Sequence, residues 1–260
     1  MGRLDRLSQP ALHFAGVNLS KMQPSADLLP YELLRRCIDH VLQTKGAAAL
    51  EYAPREGLPR LRLLMVEELA RMGVPARAED VLITTGSQQA LDLVARALID
   101  PGDSFLVEES TYSGAISLFA AAGARVVGVP SDEAGPDLSA LERHARASAK
   151  GFYVMPNSGN PTGSCMPAAR RERLVEWSHR VGVPLIEDDY GADLILDGDG
   201  PPPSLRALSS DVIYIGTFSK KLIPALQVGV LVCPESLHRQ LVPLKHAMDL
   251  GTSVLLQYAL

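Results

Sequence analysis

Lys220 and Lys221 stand in the stretch YIGTFSKKLIPALQVG, residues 214–229, with apolar β-formers on both sides. An amine held between buried strands can pair with an anion, act as a base or attack a carbonyl carbon. Thr217 and Ser219 add two hydroxyls to the same loop. Four other stretches pack polar groups directly behind an apolar run. In TTGSQQA, Thr84 to Ala90, Gly86 permits a tight turn, and Ser87 and Gln88 precede a helix expected over Leu91 to Ile99. The open N–H groups of a first helical turn and the Ser87 hydroxyl suit an anion, although they also suit a plain serine N-cap. EESTY, Glu108 to Tyr112, brings an aromatic ring, which could equally be packing or surface. PNSGNPTG, Pro156 to Gly163, is dense in turn formers and carries the Asn160 amide. IEDDY, Ile186 to Tyr190, puts three acids at the end of a buried strand, where an unpaired carboxylate is costly and a cationic partner is expected.

The elements that must position these groups are short. Seven β-rich runs alternate with helical segments: Val81–Thr84, Phe105–Glu108, Arg125–Val129, Phe152–Met155, Pro184–Glu187, Val212–Gly216 and Val228–Cys233. They are continuously apolar rather than alternating, so both faces of the sheet are covered. The fold class is therefore α/β, a seven-stranded, mostly parallel sheet flanked by helices. In such sheets ligands gather beyond the carboxyl ends of the strands, where all five polar loops lie. Helical periodicity over Pro30 to Thr44 and Leu58 to Met72 precedes the first strand, and GDGPPP, residues 198–203, is an irregular connection.

The totals exclude several classes. A formal charge of -5, a pI near 5.7 and the lack of a basic stripe argue against nucleic acid as a partner. Cys37, Cys165 and Cys233 are too far apart for a disulfide framework or a paired-ligand metal site, which points to a reducing compartment and no metal. No apolar run approaches the roughly 18 residues of a membrane span. The start, MGRLDRLSQP, lacks a signal-peptide core, so the expected location is cytoplasmic.

A phosphate cradle, an aromatic ring, an amide, a carboxylate and a lysine together are what a protein needs to hold pyridoxal phosphate. The motifs Gly86-Ser87-Gln88-Gln89, Asn160-Pro161-Thr162-Gly163, Glu187-Asp188-Asp189-Tyr190 and Gly216-Thr217-Phe218-Ser219-Lys220 resemble the signature segments of fold-type I pyridoxal phosphate enzymes of aminotransferase class I/II. Their nearest likeness is to the aminotransferase-like domain of MocR/GntR-type regulators and to 2-aminoadipate-type aminotransferases. It runs from about Phe14 to the end and includes Tyr52-x-Pro54-x-x-Gly57-Leu58-x-x-Leu61-Arg62.

The resemblance implies an N-terminal arm and helix over residues 1–50 and a cofactor-binding large domain over 51–260. It implies amino-group transfer between an amino acid and a 2-oxo acid through a Lys220 Schiff base. Lys220 rather than Lys221 is implied because it follows Thr217-Phe218-Ser219 directly. The resemblance further implies that Asp188 pairs with the pyridine nitrogen, Asn160 and Tyr190 bond the ring oxygen, and Tyr112 stacks on the ring. It implies too that Ser87, Gln88, Thr217 and Ser219 hold the phosphate, which Tyr52 reaches from the other subunit of a homodimer.

Two departures stand out. Gln227 occupies the position where the resemblance implies a phosphate-gripping arginine, with Lys221 the candidate to compensate. The chain ends at Gln257-Tyr258-Ala259-Leu260, inside an apolar stretch, and no separate C-terminal domain is expected within these residues. Alternative readings are the sensing domain of a MocR-like regulator, which would carry a winged helix not found before Phe14, a degenerate scaffold, or another reaction on the same cofactor.

Overall fold

The computed structural model describes residues 24–145, 149–191, 194 and 200–260. The expected N-terminal arm up to residue 23, and residues 198 and 199 of the proline-rich connection, lie outside these. All seven expected strands pair in one sheet: β1 (Val81–Thr84), β2 (Ser104–Glu108), β3 (Arg125–Val129), β6 (Phe152–Val154), β7 (Leu185–Asp189), β8 (Ile213–Thr217) and β9 (Gly229–Val232). The order across it is β1-β9-β8-β7-β6-β2-β3. A separate small ribbon joins β4 (Ser131–Asp132) to β5 (Gly135–Pro136).

Strand β9 runs antiparallel to both β1 and β8, while the remaining pairs are parallel. The other six strands therefore share one direction, and their carboxyl ends meet at one edge. Gly229, the first residue of β9, pairs with both Thr84 and Thr217 at that edge.

Helices cover both faces. On one, α3 (Gly86–Leu98), α4 (Ser113–Ala122) and α8 (Glu235–Asp249) pack Leu91, Phe119 and Leu241 against Phe105, Tyr153, Ile186 and Ile215. On the other, α2 (Pro59–Arg71) sets Leu61, Met65 and Leu69 against Ile83 and Val230, and α6 (Ala168–Val181) sets Leu174 and Trp177 against Phe152 and Leu185. Full burial of such side chains stabilises by roughly 1.5–3 kcal/mol each. The shorter helices are α5 (Leu138–Ala145), α7 (Leu205–Leu208) and α9 (Val254–Ala259), and α1 (Tyr31–Lys45) precedes them all.

The helix expected from Leu91 begins five residues earlier, at Gly86. Gly86 has φ +74°, which lets the chain turn straight out of β1. Gln89 Oε1 then accepts the Thr85 N–H at 2.8 Å, satisfying an amide at the helix start.

Candidate active site

Period-two alternation sorts the three acids of β7. Asp188 shares the face of Ile186, under α3 and α4, whereas Glu187 and Asp189 point to the other side. All three are buried. Glu187 accepts from Ser204 Oγ at 2.6 Å, Leu205 N at 3.1 Å and Arg206 N at 3.0 Å, so it caps the start of α7. Asp189 accepts from Tyr214 Oη at 3.0 Å.

Asp188 is different. Its Oδ2 accepts from Tyr153 Oη at 2.6 Å, and its Oδ1 is buried without a hydrogen-bond partner among the described residues. Among the described residues a tyrosine hydroxyl supplies its hydrogen bond. Burial pushes the Asp188 carboxyl up to about 6, against the lowering effect of the Tyr153 bond.

The phosphate-cradle candidates flank the start of β9. Ser87 and Gln88 lie in the first turn of α3, whose N–H groups open at the carboxyl end of β1. Thr217 closes β8, buried, and its Oγ1 lies 3.2 Å from Ser219 Oγ and accepts the Ser219 N–H at 3.2 Å. Thr84 and Thr217 are joined through Gly229, so the two loops belong to one edge. Lys220 follows, half-buried. Gln88 Nε2 donates to Tyr112 Oη at 2.8 Å, which ties the aromatic candidate to the α3 turn. Tyr112 and Tyr190 both pack against the cluster that holds Tyr153 and Ile186. Burial raises the Tyr190 phenol, and the nearby Asp188 charge raises it further.

Asn160 is half-buried in the loop after β6, where its bond to Pro161 is cis. That loop is fastened by Arg171, a fully buried arginine of α6. Its Nη2 donates to Pro156 O at 2.9 Å and Asn157 Oδ1 at 2.8 Å, its Nε to Met166 O at 2.8 Å, and its Nη1 to Pro202 O and Pro203 O. Tyr52 stands apart, 81% exposed.

Lys221 lies on the α2 face, away from Asp188. Its Nζ sits 3.4 Å from Met72 Sδ and 5.8 Å from the centre of the Phe218 ring, in a cavity lined also by Glu68, Asp189 and Tyr214. Lys221, the candidate to compensate for Gln227, thus lies on the α2 face. Gln227 itself is exposed in a left-handed turn, φ 48°.

Sequence reasoning missed Tyr153 and Arg171. A tyrosine in the otherwise apolar run FYVM was a usable signal for the first. For Arg171 the signal was its helical phase, three and four residues before the core residues Leu174 and Val175.

Residues 17–260 match the family model described as aminotransferase class I and II. A 2-aminoadipate transaminase of Thermus thermophilus is 40% identical, over 90% of this chain and 59% of that protein. A crystal structure of LysN, alpha-aminoadipate aminotransferase from Thermus thermophilus, complexed with N-(5'-phosphopyridoxyl)-L-leucine, superimposes with a TM-score of 0.86 at 38% identity. It covers 92% of this chain and 61% of that one. YdfD, an uncharacterised HTH-type transcriptional regulator of Bacillus subtilis, is 32% identical over 93% of this chain and 50% of that protein. The chain thus spans between about half and three fifths of the length of these relatives.

Proposed function

The chain belongs to the aminotransferase class I and II family, and from that premise we propose that it holds pyridoxal phosphate at the carboxyl edge of its sheet and transfers an amino group between an amino acid and a 2-oxo acid. One observation carries the reading: the buried Asp188 Oδ1 has no partner among the described residues. A buried carboxylate oxygen without a donor is costly, and the protonated ring nitrogen of pyridoxal phosphate is a donor of matching charge.

When bound, the cofactor supplies an electron-withdrawing ring that stabilises negative charge left on the substrate Cα. The residues around it would be these. Lys220 would hold the cofactor through Nζ, and its free amine would accept the proton leaving the substrate Cα. Asp188 keeps the ring nitrogen protonated. Ser87, Gln88, Thr217 and Ser219, with the first-turn N–H groups of α3, bind the phosphate. Asn160 and Tyr190 bond the ring oxygen, and Tyr112 covers a ring face.

The reading extends to a homodimer in which Tyr52 completes the partner's phosphate site. Its support is the run of exposed apolar side chains along one stretch of chain: Leu28 72%, Tyr31 71%, Leu50 71% and Tyr52 81% exposed. The cysteines, all free, fit the reducing cytoplasm. No helix among the described residues is long and apolar enough to cross a membrane.

The test is transfer of isotopically labelled nitrogen from each of a panel of amino acids, 2-aminoadipate and aromatic amino acids included, to 2-oxoglutarate in the presence of the cofactor. Label in the new amino acid supports transfer. Cofactor binding without any labelled product would leave a sensing role instead.

A further inference from the structure

Tyr153 lies in the middle of β6, paired in register with Ile186 of β7, and Asp188 is the next residue of β7 on that face. The two are diagonal neighbours across a parallel pair, close enough for a long side chain to reach. The phenol is fully buried, held by the edge of the Phe119 ring at 5.8 Å between centres, and its hydroxyl meets Asp188 Oδ2 at 2.6 Å. Oδ2 is engaged there, and the unpartnered oxygen is Oδ1.

Resting on the cofactor reading above, we infer that Tyr153 is a positioning residue. It locks the Asp188 carboxylate by one oxygen so that the other is presented, ionised, to the cofactor ring nitrogen. The surroundings make such a lock necessary. The titratable groups that act on the pair include Tyr190 and Asp189 beside Asp188, and Tyr112 and Glu108 beside Tyr153. Burial and the Asp189 charge both favour protonation of Asp188, and the Tyr153 bond opposes them. A protonated Asp188 would have no charge to offer the ring nitrogen. Tyr153 itself is raised well above its usual range, first by burial and then by the Asp188 charge, so it remains the donor.

The experiment compares wild type, Tyr153→Phe and a protein carrying a ring-fluorinated tyrosine at 153, with Asp188→Asn to assign the signal. Carboxyl carbon NMR of the cofactor-free protein follows the titration of Asp188 directly, and a pH series of pyridoxal phosphate titrations follows affinity. Loss of the donor in Tyr153→Phe is expected to raise the Asp188 midpoint by on the order of one pH unit. The acid limb of cofactor affinity should move up with it, with little change well above that midpoint. The fluorinated phenol, a stronger donor, should move both down, which a loss of packing would not do. An Asp188 midpoint unmoved in both variants, in a wild type that binds the cofactor, overturns the positioning role while leaving the cofactor reading intact. A wild type that binds no cofactor at any pH overturns both.

Discussion

The backbone of Gly229 lies directly against that of Gly86: a side-chain carbon at 229 would sit 2.8 Å from the Gly86 carbonyl carbon and 2.8 Å from Thr84 Oγ1. Strand β9 starts at this contact, wedged antiparallel between β1 and β8, so the Gly86 turn and the loop carrying Lys220 are set at their spacing by a missing methyl group.

Gly229→Ala is therefore expected to force the Gly86 turn outward. Overpacking of this kind costs about 1–3 kcal/mol, and it should reach the cofactor site as well as the fold. Urea unfolding and a pyridoxal phosphate titration of the same variant check it. Wild-type values in both would show that the turn yields without consequence.

The sheet was legible because burial on two faces leaves its strands as unbroken apolar runs, as in Val212–Gly216 and Val228–Cys233. The direction of β9 was not, since an apolar run reads the same either way. The five polar loops were legible because turn formers and charges follow those runs directly. Tyr153 and Arg171 were not, because each acts through residues distant in the chain: Tyr153 reaches Asp188, and Arg171 ties Pro156 to Pro202 and Pro203. The side on which Lys221 falls depends on a turn geometry that residue types leave open.

Glu108, at the end of β2, is buried with one long contact, Met155 N to Oε2 at 3.3 Å, and burial pushes its carboxyl from 4.5 up to about 7. A folded-state value above the unfolded one means that folding takes up protons, so this group's contribution is most favourable below about pH 4.5 and declines as pH rises through about 7. Glu108→Gln removes that decline. The variant is expected to match wild type at acid pH and to be more stable at pH about 8, by up to roughly 3 kcal/mol from the size of the shift. Urea unfolding at the two pH values decides, and a variant less stable at the higher pH would contradict the argument.

Arg171→Met should be among the most damaging single changes outside the site. It strips the donor from the Met166 carbonyl and from Asn157 Oδ1, both in buried residues, and each buried acceptor left unsatisfied costs about 1–3 kcal/mol. Chemical denaturation, with limited proteolysis of the loop carrying Asn160, reports the loss. A variant with unchanged stability and unchanged cleavage would mean that water replaces the guanidinium without cost.

Gln227 is exposed at the turn leading into β9, and Lys221 is turned to the other face. In the proposed phosphate site, a glutamine at 227 brings no charge where the resemblance implies an arginine. Gln227→Arg is expected to tighten cofactor binding by about 1–3 kcal/mol, roughly tenfold or more. Isothermal titration with pyridoxal phosphate measures the change, and equal affinities would place position 227 outside the phosphate site.

The central claim is that the amine of Lys220 holds pyridoxal phosphate. It is tested by the visible absorbance spectrum of dialysed protein, with and without added cofactor, for wild type, Lys220→Ala and Lys221→Ala. The account predicts a protein-bound visible band in wild type and Lys221→Ala that is lost in Lys220→Ala. A band that survives in Lys220→Ala, or none in wild type, would contradict it.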